Sequence, residues 1–497
     1  MSRWLRRYGL ILFLFPATLA AQDIPHRSSP VPSASRHEDV SGARMLTDVT
    51  ALSAPDYNGR QTGTADDLAS GVFVAERFAS LGLKDPTSDP GRPWMMIDRV
   101  TATAIGPDPR LEFFLDTRPL LARPGTDYLP ILDSPSVNVT APVIFVGYGI
   151  SDPARRFDEY DGIDVRNRIV LFIRGKPESY GAPVTQADKE RVAREKGAVA
   201  YLTMTGPILS AYELRKGLDG KPLALYSQSN GERPLPGAWI SSEFAQALFP
   251  SQLMKNERSM REIQDQLNHL APQSMATTVL VSLKWNSAQT TGALHNVLAL
   301  LPGSDPARAD DTIILGAHRD HFGRQAGLLF PGGDDNASGT AVLLEVARAL
   351  AQSSRPPARS ILFVSFSGEE QGLLGSKFYA SRPVRPLETT VAMINIDHAG
   401  IGNGRLTVGV TGLPKPFAME AGRRAGLSEK LDVFGFFPGG DHVPFVEARV
   451  PTITVVSGGI HPNFHQPSDT ADTVRPDILE EVASYVVALI RQLADKP

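Results

Sequence analysis

The sequence predicts an α/β protein whose main domain has three layers, with helices on both faces of a mostly parallel sheet. In the last 200 or so residues, apolar runs typical of buried strands occur at 312–315, 361–366, 391–396 and 453–456. Helical patterns lie between them, as in the segment around Leu343, where apolar residues recur at i, i+3, i+4 and i+7. Strands that alternate with helices favour a parallel sheet covered on both faces.

The N-terminus has the layout of a secretory signal peptide. Three arginines precede a short apolar run, and small residues follow it up to position 21. We therefore expect residues 1–21 to be removed on export to the periplasm or the medium, and residues 22–38, rich in Pro, Ser and Arg, to form a disordered lead-in. No cysteine follows the apolar run, which excludes lipid attachment there.

Composition narrows the classes of function. The chain has 497 residues, a net charge of −4 and no basic run in its mature part, which argues against a partner made of nucleic acid. No later apolar stretch approaches the length of a membrane span, so we expect no stable membrane insertion. The absence of cysteine limits any metal site to His, Asp and Glu. The sequence leaves the oligomeric state open.

The middle of the chain reads as a separate compact α/β module. Short β-rich runs at 141–148 and 169–174 are bounded by Gly and Asp, and loop-like segments surround them. We predict that this module is an insertion spanning 119–275. Residues 39–118 then form the N-terminal part of the main domain, and residues 276–497 form its catalytic part.

Acidic residues or histidines follow each of the four predicted strands of the main domain. Parallel strands place their carboxyl ends at one edge of a sheet, which is where open α/β sheets hold their sites. We therefore expect these side chains to converge although they span almost 150 positions. They are His318, Asp320, Glu369, Glu370, Asp397 and His465.

A further pair of acids, Asp334 and Asp335, opens the helix that contains Leu343. Acidic residues at a helix start normally act as caps, but two acids followed by Asn336 exceed what a cap needs. One of the two is therefore predicted to bind metal, and spacing alone does not say which. Histidines and carboxylates without cysteine suit a pair of zinc-type ions, which a shared carboxylate can hold roughly 3.5–4 Å apart.

With these residues in place, the chain resembles the M28 family of metallopeptidases. The matching motifs occur in the family's order, and the resemblance covers most of 286–497. The motifs lie at 317–321 (AHRDH), 333–339 (GDDNASG), 369–376 (EEQGLLGS), 395–397 (NID) and 464–470 (FHQPSDT). The middle module resembles a protease-associated (PA) domain through 146–150 (VGYGI) and 160–165 (YDGIDV).

The resemblance implies the family's zinc-exopeptidase fold and two zinc ions per chain. The ligands it implies are His318 and Asp397 for one zinc, Glu370 and His465 for the other, and Asp335 as the bridge between both. It also implies that Glu369 is the general base and that Asp320 orients His318. His321 and His398 then lie outside a complete ligand set.

One position departs from part of the family. Phe464 precedes His465 where the carboxypeptidase branch has a tyrosine, and phenylalanine has no hydrogen-bond donor. Help for a developing oxyanion must then come from another group. His442, in 440–445 (GDHVPF), is a candidate for that contact, and a purely structural histidine is an equally good interpretation.

Four functions are compatible with these residues. The first is an aminopeptidase acting on peptides. The second is a carboxypeptidase of the glutamate carboxypeptidase type, which needs basic side chains to grip a free carboxylate. No Arg cluster is readable beside the motifs, although Arg319 and Arg324 lie close in sequence. A glutaminyl cyclase shares the fold but works with one functional zinc, and a non-catalytic protein of the transferrin-receptor kind loses ligands that are all present here.

Overall fold

The computed structural model describes residues 39–87, 90–115, 118–210, 213–214, 216–217, 220–227, 234–248 and 259–495. The predicted signal peptide and lead-in lie outside these residues. Within the described part of the chain, no helix combines the length and the apolar character needed to cross a bilayer.

Eight strands form the main sheet. Numbered along the chain, they are β1 (Met95–Ile105), β12 (Ser287–Leu301), β13 (Thr312–His318), β16 (Ser360–Phe366), β17 (Thr390–Asp397), β18 (Leu406–Thr411), β19 (Leu431–Phe434) and β20 (Thr452–Ser457). Their order is β1-β12-β16-β13-β17-β20-β18-β19. The central strands β16, β13, β17 and β20 run parallel, and antiparallel pairs flank them. The predicted mostly parallel sheet is thus confirmed, with antiparallel strands at its flanks.

Helices cover both faces of this sheet. Successive side chains of a strand point to opposite faces, and Ile313 and Leu315 join one apolar cluster whereas Ile314 joins another. The first face is covered by helices Gly42–Leu52, Ala65–Ser80, Gly339–Ala351, Lys415–Arg424 and Pro476–Asp495, and the second by Leu374–Ser381 and Val443–Glu447. The three-layer arrangement follows from these two clusters.

A second sheet is built from residues 110–285. Its strands are β2 (Arg110–Leu115), β3 (Arg118–Leu121), β4 (Tyr128–Pro130), β5 (Val137–Phe145), β8 (Ile169–Ile173), β9 (Ala200–Met204), β10 (Gly237–Ile240) and β11 (Met275–Trp285). They lie in the order β3-β2-β11-β5-β8-β9-β10-β4. Helices Gln186–Glu195, Ser242–Leu248 and Met260–Asn268 belong to the same stretch of chain. The sheet extends beyond 119–275 at both ends, and the assignment of a PA domain stays a prediction.

Four short strands form two hairpins outside the large sheets. They are β6 (Ser151–Asp152) with β7 (Phe157–Asp158), and β14 (Gly323–Gln325) with β15 (Leu328–Phe330). The second hairpin leads from the end of β13 to the acidic pair at 334–335, so it closes one side of the region where the main-sheet strands end.

Candidate active site

The carboxyl ends of the central strands bring the predicted site residues together. β13 ends at His318 and β17 ends at Asp397, while Glu369 and Glu370 follow β16 after a two-residue turn. His465 arrives on the long loop after β20. The topology therefore places four distant segments at one edge of the sheet.

Asp335 lies between the two predicted histidine ligands. Its Oδ1 is 3.4 Å from Nε2 of His318, and its Oδ2 is 3.2 Å from Nε2 of His465. One carboxylate thus presents a different oxygen to each imidazole. This is the arrangement that a bridging ligand of two metal ions requires.

The remaining predicted ligands lie beside these histidines. Oδ1 of Asp397 is 3.3 Å from Nε2 of His318, and Oε2 of Glu370 is 3.5 Å from Nε2 of His465. His318, Asp335 and Asp397 offer ligand atoms that all lie within 4.8 Å of one another. The two halves of the predicted centre therefore share Asp335.

Asp334 faces a different direction from its neighbour. Its Oδ2 lies 2.7 Å from Nδ1 of His461 and 3.2 Å from Nδ1 of His398, and its Oδ1 accepts a hydrogen bond from the amide of Gly400 at 2.8 Å. Asp334 thus ties the loops after β17 and β20 to the start of the helix. Asp335, by contrast, is the acid that faces both predicted histidine ligands.

Asp320 holds both glutamates in place. Its Oδ1 accepts from the amide of Glu369 at 3.2 Å and its Oδ2 from the amide of Glu370 at 3.4 Å. Oδ1 also lies 3.6 Å from Nδ1 of His318, which is the face of that ring turned away from Asp335. Its contacts fit the orienting role that the resemblance implies.

Two partners of the site were not assigned from the sequence. Asp469 accepts from the amides of Asp334 and Asp335, at 2.8 and 3.0 Å, so it fixes the turn that aims both acids. His321 places Nδ1 2.7 Å from Oε1 of Glu370, and His321, Asp335 and Glu370 form another group able to hold a metal ion. Asp469 lies within the motif at 464–470, which was the available signal for it.

A segment of the second-sheet region also reaches the site. The carbonyl oxygen of Ala224 lies 2.8 Å from Nδ1 of His465, so it accepts from that nitrogen when Nε2 faces the centre. The ring of Phe464 stacks on the ring of His465 at 3.7 Å between centroids. No motif in the sequence predicts the Ala224 contact, because a backbone carbonyl in a loop can come from any residue type.

His442 is buried and bonded to its own loop. Its Nε2 lies 2.7 Å from the carbonyl oxygen of Phe437, which can only accept, so Nε2 carries the proton. Burial lowers the pKa of His442, so the ring is neutral. Its Nδ1 has no hydrogen-bond partner among the described residues. Contact between His442 and substrate stays a prediction.

The charges at this edge suit bound cations. Burial and neighbouring carboxylates raise the pKa of Glu369 and of Glu370 well above the usual range. Burial lowers the pKa of His465 to about 4, so that imidazole is neutral and can offer a lone pair to a metal. Buried carboxylates are costly without positive partners. The donor set therefore fits two divalent ions of the zinc type.

The site opens into a cleft of 1150 Å³ between the two sheet regions. The main-domain wall includes Asp335, Glu369 and Glu370. The opposite wall includes Arg174, Lys216, Tyr226 and Trp239, and these residues come from the second-sheet region.

The fold and this edge define the class: an α/β protein with a candidate two-metal centre where the central strands end. The profile of peptidase family M28 matches residues 296–490. Over these residues the chain is therefore similar to peptidase family M28.

Curated relatives include peptidases of two kinds. An aminopeptidase of Bacillus subtilis, YwaD, is 30% identical over 33% of this chain and 38% of its own length. A probable leucine aminopeptidase of Arthroderma otae is 29% identical over 40% of this chain and 57% of its own length. A probable glutamate carboxypeptidase of Zea mays is 24% identical over 86% of this chain and 62% of its own length. The chain thus spans between 38% and 62% of the length of these relatives.

Solved structures share the fold over nearly the whole chain. An aminopeptidase from Aneurinibacillus sp. strain AM-1 gives a TM-score of 0.66 at 23% identity, covering 93% of this chain and 95% of that one. BSAP, a zinc aminopeptidase from Bacillus subtilis, gives 0.61 at 21% identity, covering 92% and 95%. The alignment includes the second-sheet region as well as the main domain.

Proposed function

We propose that the chain is an exported di-zinc aminopeptidase that releases N-terminal residues from peptides. The observation that carries the proposal is Asp335, which presents one oxygen to His318 and the other to His465. Asp397 and Glu370 complete the two halves of the centre. The aminopeptidase names among the relatives and structural neighbours support the choice of reaction.

His318, Asp335, Glu370, Asp397 and His465 would hold the zinc ions, which would supply Lewis acidity to polarise a carbonyl and to lower the pKa of a water molecule. The protein's own groups do the rest. Asp320 and the Ala224 carbonyl hold the outer nitrogens of His318 and His465, and such outer contacts fix the tautomer and orientation of a ligand. The two histidine ligands are thereby held in one orientation toward the metal site.

Glu369 is the proposed general base. It lines the cleft and belongs to none of the three metal-holding groups found among the described residues. Its backbone is fixed by Asp320 beside the ligand Glu370. Its carboxylate takes the proton of the attacking water and delivers it to the leaving amine, so the proton returns to the products and the enzyme is regenerated.

The charge of the site favours a free N-terminus. The carboxylates of Asp335, Glu370 and Asp397 offset part of the charge of two dications, and Glu369 adds a further negative group at the cleft. A substrate ammonium is attracted there, and a substrate carboxylate is repelled, because Coulomb interactions are strong in a partly desolvated cleft. Arg319 offers no grip for a carboxylate, since it is fully buried in an ion pair with Asp67.

One observation favours the carboxypeptidase alternative. Arg174 and Lys216 line the cleft wall opposite the metal centre. The Arg174 guanidinium lies 4.5 Å from the ring centroid of Trp239, and the Lys216 ammonium lies 4.2 Å from that of Phe464. Two cations in that wall suit a carboxylate on the far part of the substrate.

A comparison of two substrates separates these functions. The first is a leucyl p-nitroanilide, which has a free amino group and no carboxylate. The second is an N-acetylated dipeptide with a free C-terminus. We expect the zinc-loaded protein to hydrolyse the first and not the second. Hydrolysis of only the second would reject the aminopeptidase proposal and establish the carboxypeptidase one.

A further inference from the structure

Tyr226 brings a phenol hydroxyl from the second-sheet region into the cleft. Its side chain lines the cleft together with Asp335, Glu370 and His465. The residue is 9% exposed, and its ring packs near Phe322 at 6.0 Å between centroids. None of the sequence motifs includes this residue.

The hydrogen bonds around this hydroxyl leave its proton unused. Nε2 of Gln61 donates to the carbonyl oxygen of Thr103 at 2.7 Å and to the Tyr226 oxygen at 3.1 Å. Because a carbonyl can only accept, the Thr103 contact identifies this atom as the amide nitrogen. Nε2 of Gln371 approaches the same hydroxyl at 3.5 Å. The Tyr226 oxygen therefore accepts, and no described residue accepts its proton.

The backbone close to Tyr226 is hydrogen-bonded to the loop that carries His465, a proposed metal ligand. The amide of Ala224 donates to the carbonyl oxygen of His465 at 3.2 Å, and the carbonyl of Ala224 accepts from Nδ1 of that residue at 2.8 Å. Nε2 of Gln466 donates to the carbonyl oxygen of Pro222 at 2.7 Å. Tyr226 thus lies two residues from Ala224, whose amide and carbonyl are both hydrogen-bonded to the proposed ligand His465.

Peptide hydrolysis needs a hydrogen-bond donor at the scissile carbonyl oxygen, and the loop that carries Phe464 and His465 lacks one at Phe464. Negative charge grows on the carbonyl oxygen as water attacks, and a fixed donor is most effective there. Phe464 has no polar atom, and the N–H of His442 is directed to the carbonyl of Phe437. The Tyr226 proton is a donor in the cleft wall that none of the described residues uses.

We propose that the Tyr226 hydroxyl donates a hydrogen bond to the scissile carbonyl oxygen as that oxygen gains negative charge. The phenol transfers no proton, so no bond to Tyr226 forms or breaks. Burial raises the pKa of Tyr226, which keeps the phenol protonated at neutral pH. The inference rests on the proposed peptidase function, and it makes the second-sheet region a contributor to catalysis.

The test is Tyr226→Phe, with Tyr128→Phe as the matched control. Tyr128 belongs to the same apolar cluster, its hydroxyl has no partner among the described residues, and it does not line the cleft. Using whichever of the two substrates the wild type hydrolyses, we expect Tyr226→Phe to lower kcat about 100- to 1,000-fold with little change in KM. Tyr128→Phe should keep the wild-type kcat.

Binding and metal content provide the second measurement. Calorimetry with an aminophosphonate, whose phosphorus is tetrahedral like the attacked carbon, should show weaker binding to Tyr226→Phe. Leucine, which has a planar carboxylate at that position, should bind both proteins alike. The zinc content of both variants should equal that of the wild type. An unchanged kcat, a loss confined to KM, or a loss of zinc in Tyr226→Phe would each overturn the inference. Because the substrate is chosen by wild-type activity, these outcomes differ from a failure of the aminopeptidase proposal.

Discussion

At the scale of single residues, the carboxylates of the adjacent acids Asp334 and Asp335 face different sets of histidines, which share His398. Oδ2 of Asp334 faces His398 and His461, whereas the two oxygens of Asp335 face His318 and His465. The sequence leaves both acids open as ligands, because the turn that directs them is held by Asp469, 134 positions away from Asp335. A contact of that range leaves no local pattern.

Replacing each acid in turn tests this assignment. We expect Asp335→Ala to lose both metal ions, since it removes the one group shared by the two halves of the centre. Asp334→Ala should keep both metals and show lower thermal stability, because it leaves the two imidazoles and the Gly400 amide without their acceptor. Metal analysis of the purified variants decides the matter. Retention of both metals by Asp335→Ala would mean that the bridge is another residue.

The adjacent glutamates should separate into base and ligand. Glu369→Gln keeps a polar side chain of the same size but cannot take a proton, so we expect full metal content and a kcat about 10²- to 10⁴-fold lower. Glu370→Ala should lose a metal, because Glu370 pairs with His465. Metal analysis and steady-state kinetics on both variants provide the check. The reverse pattern would exchange the two roles.

At the scale of elements, apolar runs predict the ends of the central strands to within one residue, except that β13 continues three residues beyond the run at 312–315. The run at 361–366 becomes Ser360–Phe366, whose residues are all buried, and the run at 391–396 becomes Thr390–Asp397. A strand covered on both faces shows as a continuous apolar run, which is easily recognised. The segment at 220–227 has no such pattern, because it lies in a loop and contacts His465 and Gln466 through its backbone.

The contacts between the segment at 220–227 and the loop that carries His465 predict that loosening them weakens zinc binding. Gln466→Leu removes the donor to the Pro222 carbonyl and should loosen the chain that orients His465 through Ala224. Outer contacts of this kind typically contribute 10- to 100-fold in metal affinity, so we expect the zinc Kd to rise by about 10-fold. Competition with a chromophoric chelator measures that Kd.

Ser468→Ala is the control for this variant. It lies two residues further on and is exposed, and its side chain donates to Asn463 of the same loop. Its zinc Kd should match that of the wild type. If Gln466→Leu binds zinc as tightly as Ser468→Ala does, the segment at 220–227 does not position His465.

At the scale of the whole molecule, a buried ion pair and its hydrogen bonds join four parts of the main domain. Arg319 follows β13 directly and pairs with Asp67 of the helix Ala65–Ser80 at 2.8 Å. Asp67 also accepts from Ser367, after β16, and lies 2.8 Å from Nδ1 of His295 on β12. In the sequence, Arg319 was a possible grip for a substrate carboxylate, and its burial away from the cleft makes it structural instead.

Breaking this pair should destabilise the fold. Both side chains are fully buried, so Arg319→Gln leaves the Asp67 carboxylate without its cation, and we expect the free energy of unfolding to fall by about 3–5 kcal/mol. Arg324→Gln, at an exposed position nearby, should change it little. Denaturant unfolding followed by circular dichroism measures both. Equal stability of the two variants would contradict the structural role.

The central claim is that five residues from distant parts of the chain hold two metal ions that the reaction requires. Calorimetric titration of the metal-free protein with zinc tests it most directly, with hydrolysis of leucyl p-nitroanilide followed at each step. We expect about two equivalents to bind, in keeping with the shared Asp335, and activity to appear as the sites fill. A single equivalent for full activity, or hydrolysis that survives a chelator with no metal bound, would contradict the account.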